Sequence, residues 1–204
     1  IIKGVISSCR PEKNNFQDMI QYAEAQRLIK GFRRVLHVAP DNTARSDQFK
    51  KNIKLLSDTM LTFDLCAFPH QYPEIMELID FCPKVTFILD HCGVPNIKEG
   101  DFNVWKRSIA QLAQRDNLFC KISGIIAYGD NKIWALDDIK PYFEHVVNSF
   151  GFKRIIWGSD SPVCNLGGGI ETWVAATYLM TQDWSKEEKK NFFWSNAINL
   201  WDLK

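Results

Sequence analysis

The sequence predicts an α/β protein in which parallel strands are joined by helical crossovers. Six apolar runs of strand length recur at intervals of 24 to 36 residues; they begin near Ile1, Phe32, Leu61, Val85, Leu118 and Arg154. Segments with helical periodicity lie between these runs. Strand-helix repeats of this length are typical of parallel sheets. Two architectures fit them: a barrel of eight units and about 250 residues, of which six units are visible, and a six-stranded doubly wound sheet.

Apolar faces with a helical period predict the elements that join these strands. One predicted helix holds Pro141 in its first turn and Gly151 just past its end, which is the usual placement of proline and glycine. Ser185 and Glu188 have the spacing of a capping box and predict the start of the last helix. The apolar faces lie at residues 16–23, 49–56, 102–112 and 139–150.

The composition is that of a single domain spanning residues 1–204. Its 25 Lys and Arg residues nearly balance its 24 Asp and Glu residues. The sequence has no basic stripe of the kind that binds nucleic acid, and no uncharged run reaches the roughly 20 residues of a membrane helix. We therefore expect a small-molecule substrate, with neither nucleic acid nor a membrane as partner. The seven tryptophans either cover a homo-oligomer interface or pack helices onto the barrel.

The cysteines of the chain indicate a reducing environment. There are six of them, they form no Cys-x-x-Cys pair, and several fall within apolar runs of strand length. Cysteine in such a run behaves as a small apolar residue. We therefore expect reduced thiols and a cytoplasmic protein.

Three of the apolar runs lead to an ionisable residue: His70, His91 or Asp160. In a parallel barrel the carboxyl ends of the strands gather on one face and build the active site. A carboxylate there can accept a proton or hold a metal, and a neutral imidazole can bind a metal, polarise a carbonyl or transfer a proton. The structural alternatives are a turn aspartate beside Pro162 and hydrogen-bonded histidines. We interpret all three residues as catalytic.

Two cationic residues lie within predicted strands. Arg33 precedes Arg34, and consecutive strand residues point to opposite sides, so Arg33 either faces the barrel interior or belongs to the polar start of its strand. An interior guanidinium would hold a substrate carboxylate or a polarised oxygen through paired N–H groups. Lys121 is a charge in an otherwise apolar strand, and because burial of an unpaired ammonium is costly, it either reaches solvent or faces a functional cavity. Arg33 and Lys121 are the predicted substrate-binding residues.

Five short segments of the chain carry a family resemblance: Ile29-Lys30-Gly31-Phe32-Arg33, Phe68-Pro69-His70-Gln71, Leu89-Asp90-His91-Cys92-Gly93, Cys120-Lys121-Ile122-Ser123-Gly124 and Trp157-Gly158-Ser159-Asp160-Ser161-Pro162-Val163. They resemble, in the right order, signature segments of the amidohydrolase-2 branch of the amidohydrolase superfamily. This branch contains sugar lactonases, such as fuconolactonase, and the 2-pyrone-4,6-dicarboxylate lactonase. The resemblance implies a distorted (β/α)8 TIM barrel of the metal-dependent hydrolase type. Ile1 would begin its third strand and Asp160 would end its eighth, so the first two strands would precede Ile1.

The resemblance also implies a metal site, which residues 1–204 would form only in part. The superfamily places a His-x-His pair at the end of the first strand, and this sequence contains no such pair. His70, His91 and Asp160 are the predicted ligands of one divalent metal ion, with zinc the ion most expected. The lactonase branch also includes members that work without an essential metal, so a metal-independent reaction is the alternative.

We expect a hydrolase that opens a small lactone, either a sugar lactone or a carboxylated lactone. Asp160 would be the general base on water, and His91 and His70 would polarise the carbonyl or hold the metal. Arg33 and Lys121 would bind oxygen atoms of the substrate and of the tetrahedral intermediate. Two alternatives are a metal-dependent decarboxylase of the same superfamily and a non-catalytic barrel paralogue that binds a ligand or a partner.

Overall fold

The computed structural model describes residues 2–99, 102–130 and 133–203. Six strands within these ranges form one sheet, and every neighbouring pair is parallel. The predicted strand near Ile1, a residue outside the described ranges, is found a few residues further on. The strands are β1 (Val5–Ser8), β2 (Ile29–Val35), β3 (Thr62–Cys66), β4 (Phe87–Leu89), β5 (Leu118–Ile122) and β6 (Ile155–Trp157).

The strands lie side by side in chain order, from β1 to β6. A doubly wound sheet begins in its middle and reverses direction, so its strand order is never consecutive. Consecutive order is that of a barrel wall, because each crossover places the next strand beside the last. The barrel prediction is therefore confirmed over the doubly wound alternative. Within the described residues β1 does not pair with β6, and the six strands form an open arc.

Helices connect the strands as the periodicity predicts. The predicted capping box is present at the start of the helix Lys186–Lys190, where Ser185 N–H donates to Glu188 Oε2 at 2.7 Å and Glu188 N–H donates to Ser185 Oγ at 3.3 Å. Within the described ranges, no helix combines the length and the apolar character that crossing a bilayer requires. The helices are α1 (Phe16–Glu24), α2 (Asp47–Lys54), α3 (Tyr72–Phe81), α4 (Phe102–Leu112), α5 (Leu136–Phe150), α6 (Gly169–Met180), α7 (Lys186–Lys190) and α8 (Asn196–Trp201).

The prediction that Pro141 lies in the first turn of its helix is wrong. Helix α5 begins at Leu136, so Pro141 lies inside it. Ala135 N–H donates to Asp138 Oδ2 at 2.7 Å, and this cap starts the helix upstream of the proline. Proline has no N–H, so the carbonyl of Asp137 loses its usual helical donor at this point.

The core lies between the sheet and its helices. Strands β3 and β4 are buried on both faces, as expected for a parallel sheet. Phe63 of β3 packs edge-on against Phe49 of α2 and Phe87 of β4, with ring centroids 6.0 and 6.2 Å apart. Asp64 follows Phe63 and therefore points to the opposite face, the inside of the arc, where it is fully buried. The inside of the arc thus contains a charged group.

Helix α8 lies across the amino ends of the strands. Asn196 Nδ2 donates to the carbonyls of Phe152 and Ile155, at 2.8 Å each, where β6 begins. Trp201 Nε1 donates to Thr62 Oγ1 at 3.0 Å, where β3 begins. Because this end of the arc is covered, the carboxyl ends of the strands form the face from which a substrate can reach the interior.

Candidate active site

His91 reaches the interior because the backbone turns sharply at the end of β4. The backbone kinks within residues 90–93, where His91 has a φ of 54° and Cys92 a φ of 55°, a left-handed conformation that is uncommon outside glycine. Along a straight strand Asp90 and His91 would point to opposite sides. The turn removes that alternation, and both side chains are buried. Both contact Arg33, whose Nε lies 3.1 Å from Asp90 Oδ2 and whose Nη2 lies 3.2 Å from His91 Nε2.

Asp160 meets His91 just past the carboxyl end of β6. Its Oδ2 lies 3.4 Å from His91 Nδ1, and its backbone is also left-handed, with a φ of 55°. A Cβ on Gly124 would overlap the Asp160 carboxylate, so only glycine at this position lets the chain after β5 approach so closely. A Cβ on Gly158 would lie 3.1 Å from Cβ of Ser123. The two signature segments that follow β5 and β6 therefore fit against each other.

The hydrogen bonds around His91 define its tautomer. A guanidinium carries only donors, so His91 Nε2 accepts from Arg33 Nη2 and the ring proton is assigned to Nδ1. His91 Nδ1 lies 2.8 Å from Ser123 Oγ and 3.4 Å from Asp160 Oδ2. The imidazole thus presents an N–H group to the hydroxyl and the carboxylate, and a lone pair to the arginine.

Burial sets the charges of His91 and Asp160. It lowers the pKa of His91 to about 4, although the Asp90 carboxylate opposes the shift. Burial also raises the pKa of Asp160 to about 6, against the opposing effect of Arg33. At pH 7 the imidazole is therefore neutral, and the carboxylate is ionised but near its pKa, as a general base should be. Asp160 Oδ2 is buried and accepts no hydrogen bond from the described residues, so a lone pair remains for a proton.

Lys121 projects into the same interior and joins two buried carboxylates. Its Nζ donates to Asp64 Oδ2 at 2.6 Å and to Asp90 Oδ1 at 2.7 Å. Burial raises the pKa of Asp64, and the Lys121 ammonium opposes that rise. The side chain of Lys121 is 19% exposed and that of Arg33 is 31% exposed. Lys121 therefore serves first to neutralise two aspartates, while Arg33 is the more accessible cation.

His70 does not join this group of contacts. It lies in the short turn after β3, its side chain is 61% exposed, and its Nε2 is 3.2 Å from Asp41 Oδ1. Gln71 takes the buried position in this turn. Of the three residues predicted to share a catalytic site, His91 and Asp160 come together and His70 lies at the rim. Their catalytic and metal-binding roles stay predictions.

The sequence left two further residues near the site unassigned. Cys66 ends β3 and His37 lies in the short turn after β2, with Cys66 Sγ and His37 Nδ1 3.4 Å apart. The ligand atoms of Cys66, Asp90 and His91 lie within 4.8 Å of one another, and all three residues are buried. Sulfur, nitrogen and oxygen donors are the types that zinc accepts. In the part of the chain that the structure describes, this group alone has metal-ligand spacing, and it shares only His91 with the predicted ligand set.

A cavity of about 750 Å³ lies beside these residues, and we call it the outer cavity. Tyr128 lines it, and the pKa of the Tyr128 phenol is raised by burial and then by the Asp160 carboxylate. Phe68 also lines the cavity and stacks on His37 with ring centroids 4.8 Å apart. The outer cavity is lined by Phe68, Pro69, His70, Val94, Pro95, Asn96, Val104, Trp105, Ala127, Tyr128 and Leu166.

The fold and the site define a class of protein. Parallel strands in barrel order bring a carboxylate of raised pKa, a neutral imidazole and two cations to one interior, at the strand ends where barrel enzymes build their active sites. The family model for amidohydrolases, Amidohydro_2, matches residues 1–203. The chain belongs to this amidohydrolase family, and the resemblance seen in the sequence is confirmed.

Individual relatives support the lactonase-like branch. L-fucono-1,5-lactonase of Burkholderia ambifaria is 32% identical over 108 residues, which cover 53% of this chain and 37% of that protein. L-rhamnono-gamma-lactonase of Scheffersomyces stipitis is 24% identical over an alignment that covers 86% of this chain and 60% of that protein. The chain spans about half the length of the curated relatives it matches.

A solved structure supports the fold. The crystal structure of an amidohydrolase from Burkholderia multivorans with bound zinc has a TM-score of 0.92 and 21% identity, over 99% of this chain and 74% of that one. Sequence identity at this level shows the shared fold and no more. The six-stranded arc is therefore an amidohydrolase barrel wall.

Proposed function

We propose that this protein hydrolyses a small lactone. The lactonases among its relatives support this reaction class. The observation that carries the proposal is the approach of Asp160 Oδ2 to within 3.4 Å of a neutral His91, at the open end of the arc. A carboxylate with a pKa of about 6 is ionised at neutral pH and basic enough to take a proton from water in the transition state.

In the proposed reaction, Asp160 accepts a proton from water as the water oxygen attacks the lactone carbonyl carbon. The carbonyl oxygen becomes an oxyanion in the tetrahedral intermediate. The bond between this carbon and the ring oxygen then breaks as the carbonyl re-forms. The proton held by Asp160 passes to the departing ring oxygen, so the product is a hydroxy acid and Asp160 is ionised again.

The other polar residues have separate roles in this proposal. Arg33 would stabilise the oxyanion, because Asp90 and His91 fix its guanidinium and it still has N–H groups for a substrate oxygen. His91 would position the Asp160 carboxylate electrostatically, through the 3.4 Å approach of its Nδ1 to Oδ2. Lys121 would keep the interior electrically balanced. His70, at the rim of the outer cavity, would contact the substrate away from the attacked carbonyl.

The rate of lactone hydrolysis is expected to depend on pH through Asp160. Below a pH of about 6 the carboxylate is protonated and cannot act as a base, so kcat/KM should fall about tenfold per pH unit and level off above pH 6. His91 stays neutral throughout this range and adds no second step. Proton release from L-fucono-1,5-lactone and L-rhamnono-gamma-lactone, corrected for spontaneous hydrolysis, gives the profile. A flat profile between pH 5 and pH 8 would contradict the role of Asp160.

We further propose Cys66, Asp90 and His91 as the ligands of one divalent ion, with zinc favoured by the donor types. The zinc-bound amidohydrolase from Burkholderia multivorans supports the choice of ion. The Arg33 guanidinium contacts both Asp90 and His91 Nε2, so an ion would compete with it for these atoms. Zinc at this place would supply Lewis-acid polarisation of a carbonyl oxygen. Where Arg33 keeps its contacts, the guanidinium can supply that polarisation and no metal is needed.

Cobalt(II) tests this ligand set without relying on activity. Added to chelator-treated protein, it is expected to give the near-ultraviolet charge-transfer absorption of a cobalt–thiolate bond, and Cys66→Ser is expected to remove the absorption. His70→Ala is the matched control outside the group and should leave it unchanged. Absence of thiolate absorption in the wild-type protein would contradict the site at Cys66. Loss of cobalt binding in His70→Ala would favour the ligand set predicted from the sequence.

The proposed setting is the cytoplasm, with a small molecule as substrate. All six cysteines are buried and free, which suits a compartment in which thiols stay reduced. The outer cavity has the volume of a small-molecule site.

A further inference from the structure

Three large apolar side chains line the outer cavity and yet remain open to solvent. They are Phe68 after β3, Val104 in α4 and Leu166 in the turn before α6. Folding gains little from an apolar side chain that stays exposed. Three of them converge from distant parts of the chain onto one concave surface beside the candidate active site, which is typical of a ligand-binding groove.

Polar atoms on the cavity wall are already used within the protein. Trp105 Nε1 donates to the carbonyl of Cys92 at 3.0 Å, so the indole offers its apolar surface. Asn96 Nδ2 donates to Glu99 Oε2 at 2.9 Å, and Asn96 Oδ1 accepts from Glu99 N–H at 3.3 Å. His70 Nε2 faces Asp41 at 3.2 Å. Apart from the Tyr128 hydroxyl and His70 Nδ1, a ligand in this cavity would therefore find few side-chain donors and acceptors.

The cavity adjoins the candidate active site through Val94, which lines it and whose N–H donates to the carbonyl of His91 at 2.9 Å. A lactone attacked with the help of Asp160 would thus extend its substituent into the outer cavity. A sugar hydroxyl placed there would lose its hydrogen bonds to water and gain few in return, which is unfavourable. A hydrocarbon group would instead gain from leaving water.

We infer that the substrate is a lactone with an apolar substituent, an alkyl chain or a hydrocarbon ring, which is bound in the outer cavity. This inference rests on the proposed lactone hydrolysis and adds to it the class of substituent. It ranks alkyl-substituted lactones above sugar lactones of similar size as substrates.

The test uses a series of γ-lactones whose alkyl side chain grows from two to six carbons. For the wild-type protein, kcat/KM is expected to rise about fourfold for each added methylene that becomes buried. Asp160→Asn protein, which should bind without turnover, allows calorimetric dissociation constants for the same series, and these should fall by the same factor. Leu166→Gln should reduce the gain in kcat/KM and in affinity for each added methylene, because it removes an apolar part of the cavity wall. Leu179→Gln is the matched control, because Leu179 is 57% exposed against 58% for Leu166 and lies on α6 outside the cavity.

The two measurements separate the inference from the proposed reaction. Dissociation constants that stay constant along the series would overturn the inference, and so would a higher kcat/KM for L-fucono-1,5-lactone than for the longest alkyl lactone. Hydrolysis of any of these lactones would still support the proposed function. Binding that tightens along the series, without hydrolysis of any lactone, would support the apolar ligand and refute lactone hydrolysis.

Discussion

Replacement of Asp160 with asparagine is expected to abolish lactone hydrolysis and, at neutral pH, to stabilise the folded protein. The amide cannot accept the proton of the attacking water, so kcat should fall by at least 10²-fold. Asparagine keeps the shape of the side chain and tolerates the left-handed backbone at this position. The variant should therefore fold normally, and lost activity would reflect lost chemistry.

The expected stabilisation follows from the pKa of Asp160. Folding raises it from the ordinary value of 3.8 to about 6, so the folded state holds this proton more tightly than the unfolded state does. Ionisation therefore lowers the free energy of unfolding as the pH rises from about 4 to 6, by about 3 kcal/mol in all. Asparagine cannot ionise, so the variant does not lose this stability. Its free energy of unfolding should exceed that of the wild-type protein by the full amount above pH 6 and by nothing below pH 4.

Urea denaturation of the wild-type and Asp160→Asn proteins at pH 4 and pH 7.5, together with hydrolysis rates, checks both effects. Asp58→Asn serves as the control, because Asp58 is exposed and lies near the amino ends of the strands. It should change neither rate nor stability. If Asp160→Asn kept full activity, the assignment of the base would be wrong. An unchanged free energy of unfolding at pH 7.5 would contradict the raised pKa.

The order of the elements could be predicted from the sequence because periodicity reports burial directly. Apolar runs at 24 to 36 residues predicted all six strands, and the helical faces between them predicted the crossovers. The predicted start of one helix is wrong because a capping hydrogen bond, and not the proline, determines where the helix begins. The carboxylate of Asp138 begins α5 before Pro141, so the proline did not mark the first turn. Sequence propensities predict the ends of a helix less accurately than they predict that the helix exists.

The site was harder to predict, because its residues meet through backbone turns that strand alternation does not describe. Strand alternation predicts that Asp90 and His91 point to opposite sides, yet the left-handed turn at His91 buries both side chains. Asp64 is a charge in an otherwise apolar strand, which is the same signal that indicates a role for Lys121. These two charges form the ion pair between β3 and β5.

The position of His70 shows the opposite difficulty. The residue stands just past a strand end, where catalytic groups gather, but the turn that follows β3 directs Gln71 inward and His70 to the rim. Cys66, which ends β3 itself, takes the interior place beside His91. Which residue of a strand end points inward depends on the local turn, and single-residue motifs do not encode it.

Replacement of Lys121 with methionine is expected to destabilise the protein by about 3 kcal/mol at pH 8. The ammonium contacts Asp64 and Asp90, whose side chains are at most 1% exposed. Methionine fills a similar volume but leaves these carboxylates buried with less positive charge nearby. Asp90 keeps its contact with Arg33, so the loss falls mainly on Asp64. Lys140→Met, which removes an exposed pair with Glu144 on α5, is the control and should change stability by less than about 0.5 kcal/mol.

The pH dependence and a double variant identify Asp64 as the cause of this loss. Burial raises the pKa of Asp64, so without Lys121 the folded state should take up a proton there, and the deficit should shrink as the pH falls towards 4. Asp64→Asn combined with Lys121→Met should recover most of the lost stability at pH 8, because the buried charge is then absent. Urea denaturation measures the free energy of unfolding of each variant. A loss of stability that is independent of pH, or that is undiminished in the double variant, would contradict this explanation.

The activity of the double variant shows whether Lys121 also binds the substrate. If the recovered double variant hydrolyses lactones at the wild-type rate, Lys121 holds the interior together without binding the substrate. If it folds but turns over slowly, the ammonium acts on the substrate as well.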